Sequence, residues 1–239
     1  MSRRVDDAQF VRDQYSSENH LRARKSIYAQ AEGDDARAFA LEAIDAERPR
    51  RVLELGGGEG ELAELIADRV GSEVIGVDQS ERMVELQRAR GIDARIGDAR
   101  HLPFRDGEFD VVVAAWMLYH VDDLDATLGE VVRVLKPGGA LVAVTNAVDH
   151  LIELSDLAGR NPVEAFSFRS DNGADVLRRH FADVESRDAH GWVTMDDVTV
   201  RSFAASWEAL APILALPTLE QPLRARRHNT VFVARKAVS

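Results

Sequence analysis

Cysteine is absent from all 239 residues, so neither a disulfide nor a thiolate-held metal is available to this chain. Long apolar runs are missing too. The longest, Val111–Leu118 and Ala209–Leu216, fall far short of the ~20 residues a bilayer-spanning helix needs. Cationic charge is scarce: 30 Lys and Arg stand against 41 Asp and Glu, giving a net charge of −11 and a pI near 5.1. Broad nucleic-acid surfaces need clustered Lys and Arg to displace counterions, so no nucleic-acid partner is expected. The opening Met1-Ser2-Arg3-Arg4-Val5-Asp6-Asp7 carries charge with no apolar region behind it, unlike a secretory signal. No His/Asp/Glu spacing suggests a metal. These absences predict a soluble cytoplasmic protein with no membrane partner, monomeric or homodimeric.

What is present is concentrated between residues 50 and 147. Val52-Leu53-Glu54-Leu55 reads as a buried strand ending near an acid, and glycines follow at 56, 58 and 60. A helix-compatible run, Glu61 to Arg69, comes next. Such a strand–glycine loop–helix unit lets a ligand approach bare backbone where amides and a helix N-terminus converge. A second apolar strand, Glu73 to Val77, ends in Asp78, where doubly wound folds place the acid that grips a ribose. A dinucleotide fingerprint wants a small residue at 61, and Glu61 stands there.

Further segments come in order: Ile96-Gly97-Asp98-Ala99 after a third short strand, then Leu102-Pro103-Phe104, then the strand Phe109–Val113. That strand runs into Ala115-Trp116-Met117-Leu118-Tyr119-His120-Val121. The turn Arg133-Val134-Leu135-Lys136-Pro137-Gly138-Gly139 precedes another strand, Ala140–Thr145. Together these segments resemble class I S-adenosylmethionine-dependent methyltransferases, and more narrowly a bacterial type-11-like methyltransferase domain. Tyr15 to Arg24 resembles that narrower group's N-terminal lid, and Thr145-Asn146 with His150-Leu151 resembles the segment after its fifth strand. Gly57 is a departure, because many relatives carry Cys or Ala there.

The resemblance implies a site. S-adenosyl-L-methionine would be held by Glu54, Gly56, Gly58, Gly60, Asp78, Gln79, Met83, Asp98, Ala99, Ala115 and Trp116. Glu54 would fix the loop and hold the ammonium end, Asp78 both ribose hydroxyls, and Asp98 the adenine amino group. Tyr15, Asn146 and His150 would face the acceptor, with His120 as a catalytic general base and His150 a second candidate for that role. Each residue has a plainer reading. Glu54 and Asp98 suit solvated loop acids, Met83 the core face of a helix, Trp116 a cap on the sheet and His120 a packing role. Arg224, Arg226, Arg227 and His228 suit either an anionic substrate or a solvated strand lead-in.

Alternating apolar strands and amphipathic helices predict an α/β fold. By resemblance it is a Rossmann-like, seven-stranded, mostly parallel sheet with helices on both faces and the last strand antiparallel. A single domain over residues 1–239 is expected. It would comprise a helical N-terminal lid (1–47), the core (48–191 and 228–239) and a cap insertion (192–227). The predicted activity is methyl transfer from S-adenosyl-L-methionine to an oxygen or nitrogen of a small-molecule acceptor. Two rivals stay open at this level: action on RNA or protein, and cofactor binding without catalysis.

Overall fold

The computed structural model describes residue 25, residues 27–28 and residues 31–238. Tyr15 and most of the expected lid lie outside them. Eight strands alternate with helices: β1 (Glu32–Gly33), α1 (Ala36–Ala46), β2 (Arg51–Leu55), α2 (Glu61–Val70), β3 (Glu73–Asp78), α3 (Glu81–Ala89), β4 (Asp93–Ile96) and β5 (Phe109–Ala115). They continue as α4 (Leu124–Val134), β6 (Leu135–Asn146), α5 (Ile152–Ala158), α6 (Ser170–Arg178), β7 (Asp183–Met195), α7 (Asp197–Ala205) and β8 (Leu223–Arg235). These strands join one sheet in the order β1-β7-β8-β6-β5-β2-β3-β4. β2 to β6 pair in parallel, and β8 runs antiparallel between β6 and β7. The Rossmann-like sheet expected from the sequence is therefore present, with the two-residue β1 as an added edge.

The central strands are apolar on both faces, as a parallel sheet between helices requires. Leu53, Ile75, Val112 and Leu141 point into one core with α4 and α6, represented by Leu128, Val131 and Leu177. Val52, Val74, Val111 and Val142 point into the other, with Ala36, Ala40 and Ile44 of α1 and Leu62 and Ile66 of α2. Helix starts obey capping chemistry: Asp35, Ser80, Asp123 and Asp196 each accept a backbone N–H of the first turn.

Two boundaries differ from the sequence reading. α1, grouped there with the lid, packs its small and branched residues onto the sheet. The hairpin of β7 and β8 is also longer than expected, with pairs from Asp183↔Arg235 to Met195↔Leu223. That leaves only residues 196–222 as the excursion above it. From the sequence Val184–Arg187 reads as the sixth strand; the strand runs on to Met195, and Ala189, Gly191, Val193 and Met195 are buried at period 2. The excursion holds α7 and a 3₁₀ stretch, Glu208–Ala215. Val200, Phe203 and Leu210 pack on Val193, Met195 and Ala225, with Leu154 from α5. Among the described residues no helix is long and apolar enough to cross a membrane.

Candidate functional site: a cavity at the carboxyl ends of the strands

β2 delivers the chain into the Gly56–Gly60 loop and then into α2. Gly56 N donates to Val77 O at 2.8 Å, tying the loop to β3. Gly60 sits at φ +81°, and a Cβ there would come 2.9 Å from Gln87 Cγ, so a side chain is excluded twice over. Gln87, fully buried on α3, donates its amide to Gly58 O at 3.0 Å and holds the loop from below. Gly57 faces Glu54 so closely that a Cβ would overlap the carboxylate oxygen.

Two acids converge beside this loop. Glu54 is 1 % exposed, and its Oε2 has no hydrogen-bond partner among the described residues. Burial raises its pKa to about 7, helped by the charge of Asp78 and opposed by Arg37 and Lys25. Asp78, at the end of β3, is raised to about 6 by burial, although its carboxylate accepts N–H bonds from Ser80 (2.9 Å) and Gly58 (3.4 Å). Two acids with raised affinity for protons, Glu54 buried and Asp78 half-buried, are a site that wants donors. Nearby, Glu61 is paired with Lys25 at 3.1 Å and Arg37 at 3.4 Å. Burial pushes Glu61 up, but Lys25, by charge and hydrogen bond, and then Arg37 outweigh it and hold the carboxyl low.

The opposite wall is aromatic. β5 exits through Trp116, which adopts φ +54°, a left-handed conformation uncommon for a bulky residue and one that costs energy. Its N–H is anchored on Val144 O at 2.8 Å. The next turn carries Tyr119 and His120, whose rings lie 4.5 Å apart. Tyr119 stacks on Phe166 at 4.2 Å and 11°, and Phe166 faces Trp207 at 6.1 Å. Leu151, also on this cavity wall, has φ +53°. Among the described residues, two of the three non-glycine positions with positive φ thus border one cavity.

At the end of β6, Asn146 accepts from Asn229 Nδ2 at 2.7 Å. His150 is buried, with Nε2 3.0 Å from the Tyr28 hydroxyl and Nδ1 at 3.1 Å from the His228 backbone. Burial lowers its pKa to about 4, which keeps it neutral near pH 7. Arg227 is 8 % exposed, donates to Asp34 O at 3.0 Å and lies 5.7 Å from the Tyr28 ring centroid. The basic cluster is split by strand alternation. Arg227 faces the cavity, while Arg224 and Arg226 lie over Trp192 on the other face.

A cavity of about 680 Å³ brings together Glu54, Gly56, Gly58, Asp78, Gln79, Ala99, Ala115, Trp116, His120, Asn146 and His150. Three sequence candidates do not line it. Gly60 is turned to Gln87, Met83 is 0 % exposed in the core, and the Asp98 carboxylate is held by Arg100 at 2.6 Å. Arg100 also reaches Asp122 at 2.7 Å. Of the basic cluster weighed for an anionic substrate, Arg227 alone lines the cavity, while Phe203 and Trp207 are not legible in the sequence because cap residues enter the wall through tertiary folding. Gln87 was missed as well, although a lone amide in an apolar helix face is a usable signal.

Residues 53–143 match the family model described as "Methyltransferase domain". A demethylmenaquinone methyltransferase of Thermus thermophilus is 42% identical over 103 residues, covering 40% of this chain and 47% of that protein. The ubiquinone/menaquinone biosynthesis C-methyltransferase UbiE of Cellvibrio japonicus is 36% identical over 141 residues, covering 55% of each chain. The chain thus spans about half the length of the curated relatives it matches. Among solved structures, Burkholderia thailandensis 1,6-didemethyltoxoflavin-N1-methyltransferase, bound to 1,6-didemethyltoxoflavin and S-adenosylhomocysteine, superposes with a TM-score of 0.60 at 19% identity. That match covers 99% of this chain and 92% of the other, and it establishes the fold.

Proposed function

We propose, from the premise that residues 53–143 are a class I S-adenosylmethionine-dependent methyltransferase domain, that the chain transfers a methyl group to a small-molecule acceptor. The observation that carries this reading is the pair of acids, Glu54 buried and Asp78 half-buried. Glu54 holds an orphaned oxygen and Asp78 a raised pKa, so the cavity fits a ligand bringing an ammonium and a diol. S-adenosyl-L-methionine has both, and when bound it supplies an electrophilic methyl on a sulfonium.

In this reading Asp78 accepts from the two ribose hydroxyls, and Glu54 holds the ammonium end. The backbone at Gly56 and Gly58 lies against the amino-acid and ribose portion, while Gln79 and Ala99 border the adenine. Ala115 and Trp116 border the methyl. The Asp98 carboxylate reaches an adenine amino group only by sharing its bond to Arg100, so Ala99 is assigned the ring edge. His120 removes the acceptor's proton, Asn146 and His150 orient the acceptor, and Tyr15, assigned to the acceptor by resemblance, lies outside the described residues. The protein's contribution is alignment, exclusion of water and one proton transfer.

The acceptor is assigned a planar apolar body by the Tyr119, Phe166 and Trp207 rings. An oxygen or nitrogen is the reacting atom in the first reading. Carbon is the second, favoured by the quinone-pathway names of both relatives. A phenol-like acceptor deprotonated by His120 becomes nucleophilic at oxygen and at its ring carbon alike.

Methyl-labelled S-adenosyl-L-methionine incubated with the protein and separate metabolite, RNA and protein pools tests this. Label is expected in the metabolite pool, with transfer strongly reduced in Asp78→Ala. Label confined to RNA or protein gives the macromolecular reading, and tight S-adenosylhomocysteine binding without transfer gives the non-catalytic one.

A further inference from the structure

We propose that Asp188, His190 and His228, outside the cavity on the β7–β8 ladder, form a binding site for one divalent transition-metal ion. His190 and His228 are direct cross-strand partners, and Asp188 lies two residues before His190, on the same face. One ligand atom from each of the three lies within 4.8 Å of the others. The His190 and His228 rings are 4.2 Å apart.

His228 is oriented as a metal ligand would be. Its Nδ1 bonds to Asp149 Oδ1 at 2.6 Å, and the other oxygen of Asp149 is fixed by Arg226 at 2.9 Å. A carboxylate on Nδ1 places the proton there and leaves the lone pair on Nε2, the arrangement that supports metal-bound histidines. That Nε2 is buried with no hydrogen-bond partner among the described residues, and it lies 3.8 Å from Asp188 Oδ1. A lone pair facing a carboxylate is repulsive unless a cation lies between them. A proton on Nε2 would serve, but it would not account for a second imidazole on the same spot.

The donor set indicates which ion. Imidazole nitrogens with one carboxylate suit zinc, nickel or copper and do not suit magnesium or calcium. Tetrahedral zinc with bonds of about 2.0–2.1 Å wants its ligand atoms about 3.4 Å apart. Exposed Asp188 and His190 need only side-chain rotation to close that gap. The Thr230 hydroxyl, donating to Asp188 Oδ1 at 2.6 Å, already orients the carboxylate. The site stands apart from the cofactor cavity. Yet His228 lies between Arg227 and Asn229, and Asp149 precedes His150, so a bound ion would pin the backbone carrying three cavity residues.

Calorimetric titration of the untagged full chain with zinc chloride, after chelator treatment, tests the proposal. One ion per chain is expected at micromolar or tighter affinity, weakened at least about tenfold in His190→Gln and in His228→Gln. The cobalt-loaded protein should show visible bands that His190→Gln removes. Because His190 is exposed, its variant should melt with the wild type in excess chelator, which separates loss of a ligand from loss of fold. No saturable binding, or binding untouched by either substitution, overturns the site and leaves His228 as a side chain held in place by Asp149.

Discussion

Gly57 lies against the Glu54 side chain, where a Cβ would overlap Oε2 and stand 2.6 Å from Cδ. Real side-chain carbons do not approach that closely, so the buried acid keeps its conformation only while residue 57 is glycine. By resemblance alone this position is only a departure from the Cys or Ala of many relatives. The packing instead makes it a partner of Glu54.

Gly57→Ala should therefore weaken S-adenosylhomocysteine binding by roughly tenfold, equivalent to about 1.4 kcal/mol. The effect should vanish when Glu54 is first shortened to Ala, since the two residues act through one contact. A double-mutant cycle by calorimetry checks this. Additive losses would show that residue 57 acts independently of the acid.

The two acids also predict a pH dependence of unusual sign. Glu54 and Asp78 have folded pKa values of about 7 and about 6, above their ordinary values. Well below pH 4 both acids are protonated whether folded or not. As pH rises toward 7 the unfolded chain gives up protons that the folded one keeps, so folding loses stability. Glu54→Gln should gain on the wild type across that window, by on the order of 2–3 kcal/mol near pH 7.5. At ~2–4 °C per kcal/mol this is a visible melting shift. Cofactor binding, which favours the ionised acids, should tighten over the same range. A flat difference between melting curves at pH 4.5 and 7.5 would remove the burial argument.

Trp207 belongs to the segment between β7 and β8 and closes an aromatic row with Phe166 and Tyr119. Trp207→Ala should raise KM for the acceptor at least tenfold, by loss of buried ring contact, and leave S-adenosylhomocysteine affinity within a factor of two or so. Equal losses in both affinities would place Trp207 in the support of the whole cavity.

The strand-end residues of the site are readable in the sequence and the residues brought by the β7–β8 hairpin and its excursion are not, for a physical reason. Glu54, Gly56, Gly58 and Asp78 stand at strand ends joined by short connections, so local pattern alone places them together. Asp98 shows the limit of that logic. Its position is set by the strand, but its carboxylate partner, Arg100, depends on a side chain free to fold back. Which of Arg224, Arg226 and Arg227 faces the cavity, and that Phe203 joins it, depends on the β7–β8 register and on the segment it carries, neither of which local pattern fixes. The metal candidate was hidden in the same way. Asp188 and His228 are far apart in the sequence and meet only across β7 and β8.

The two cavity histidines can be told apart by their surroundings. His150 is sealed between Tyr28 and the His228 backbone, and a pKa near 4 makes it a feeble proton acceptor at neutral pH. His120 is half-buried on the turn after Trp116, beside the Tyr119 ring on the aromatic wall. An imidazole held neutral by burial serves as a fixed hydrogen-bonding group, which leaves His120 as the candidate base. His120→Ala should then lower kcat by about two to four orders of magnitude with cofactor affinity nearly unchanged. It should also remove the acidic limb of the kcat pH profile. His150→Phe should mainly raise KM and leave that limb in place. Single-turnover transfer measured across pH separates the two. A loss below tenfold in His120→Ala would mean that alignment and dehydration suffice, with His120 serving only to pack against Tyr119.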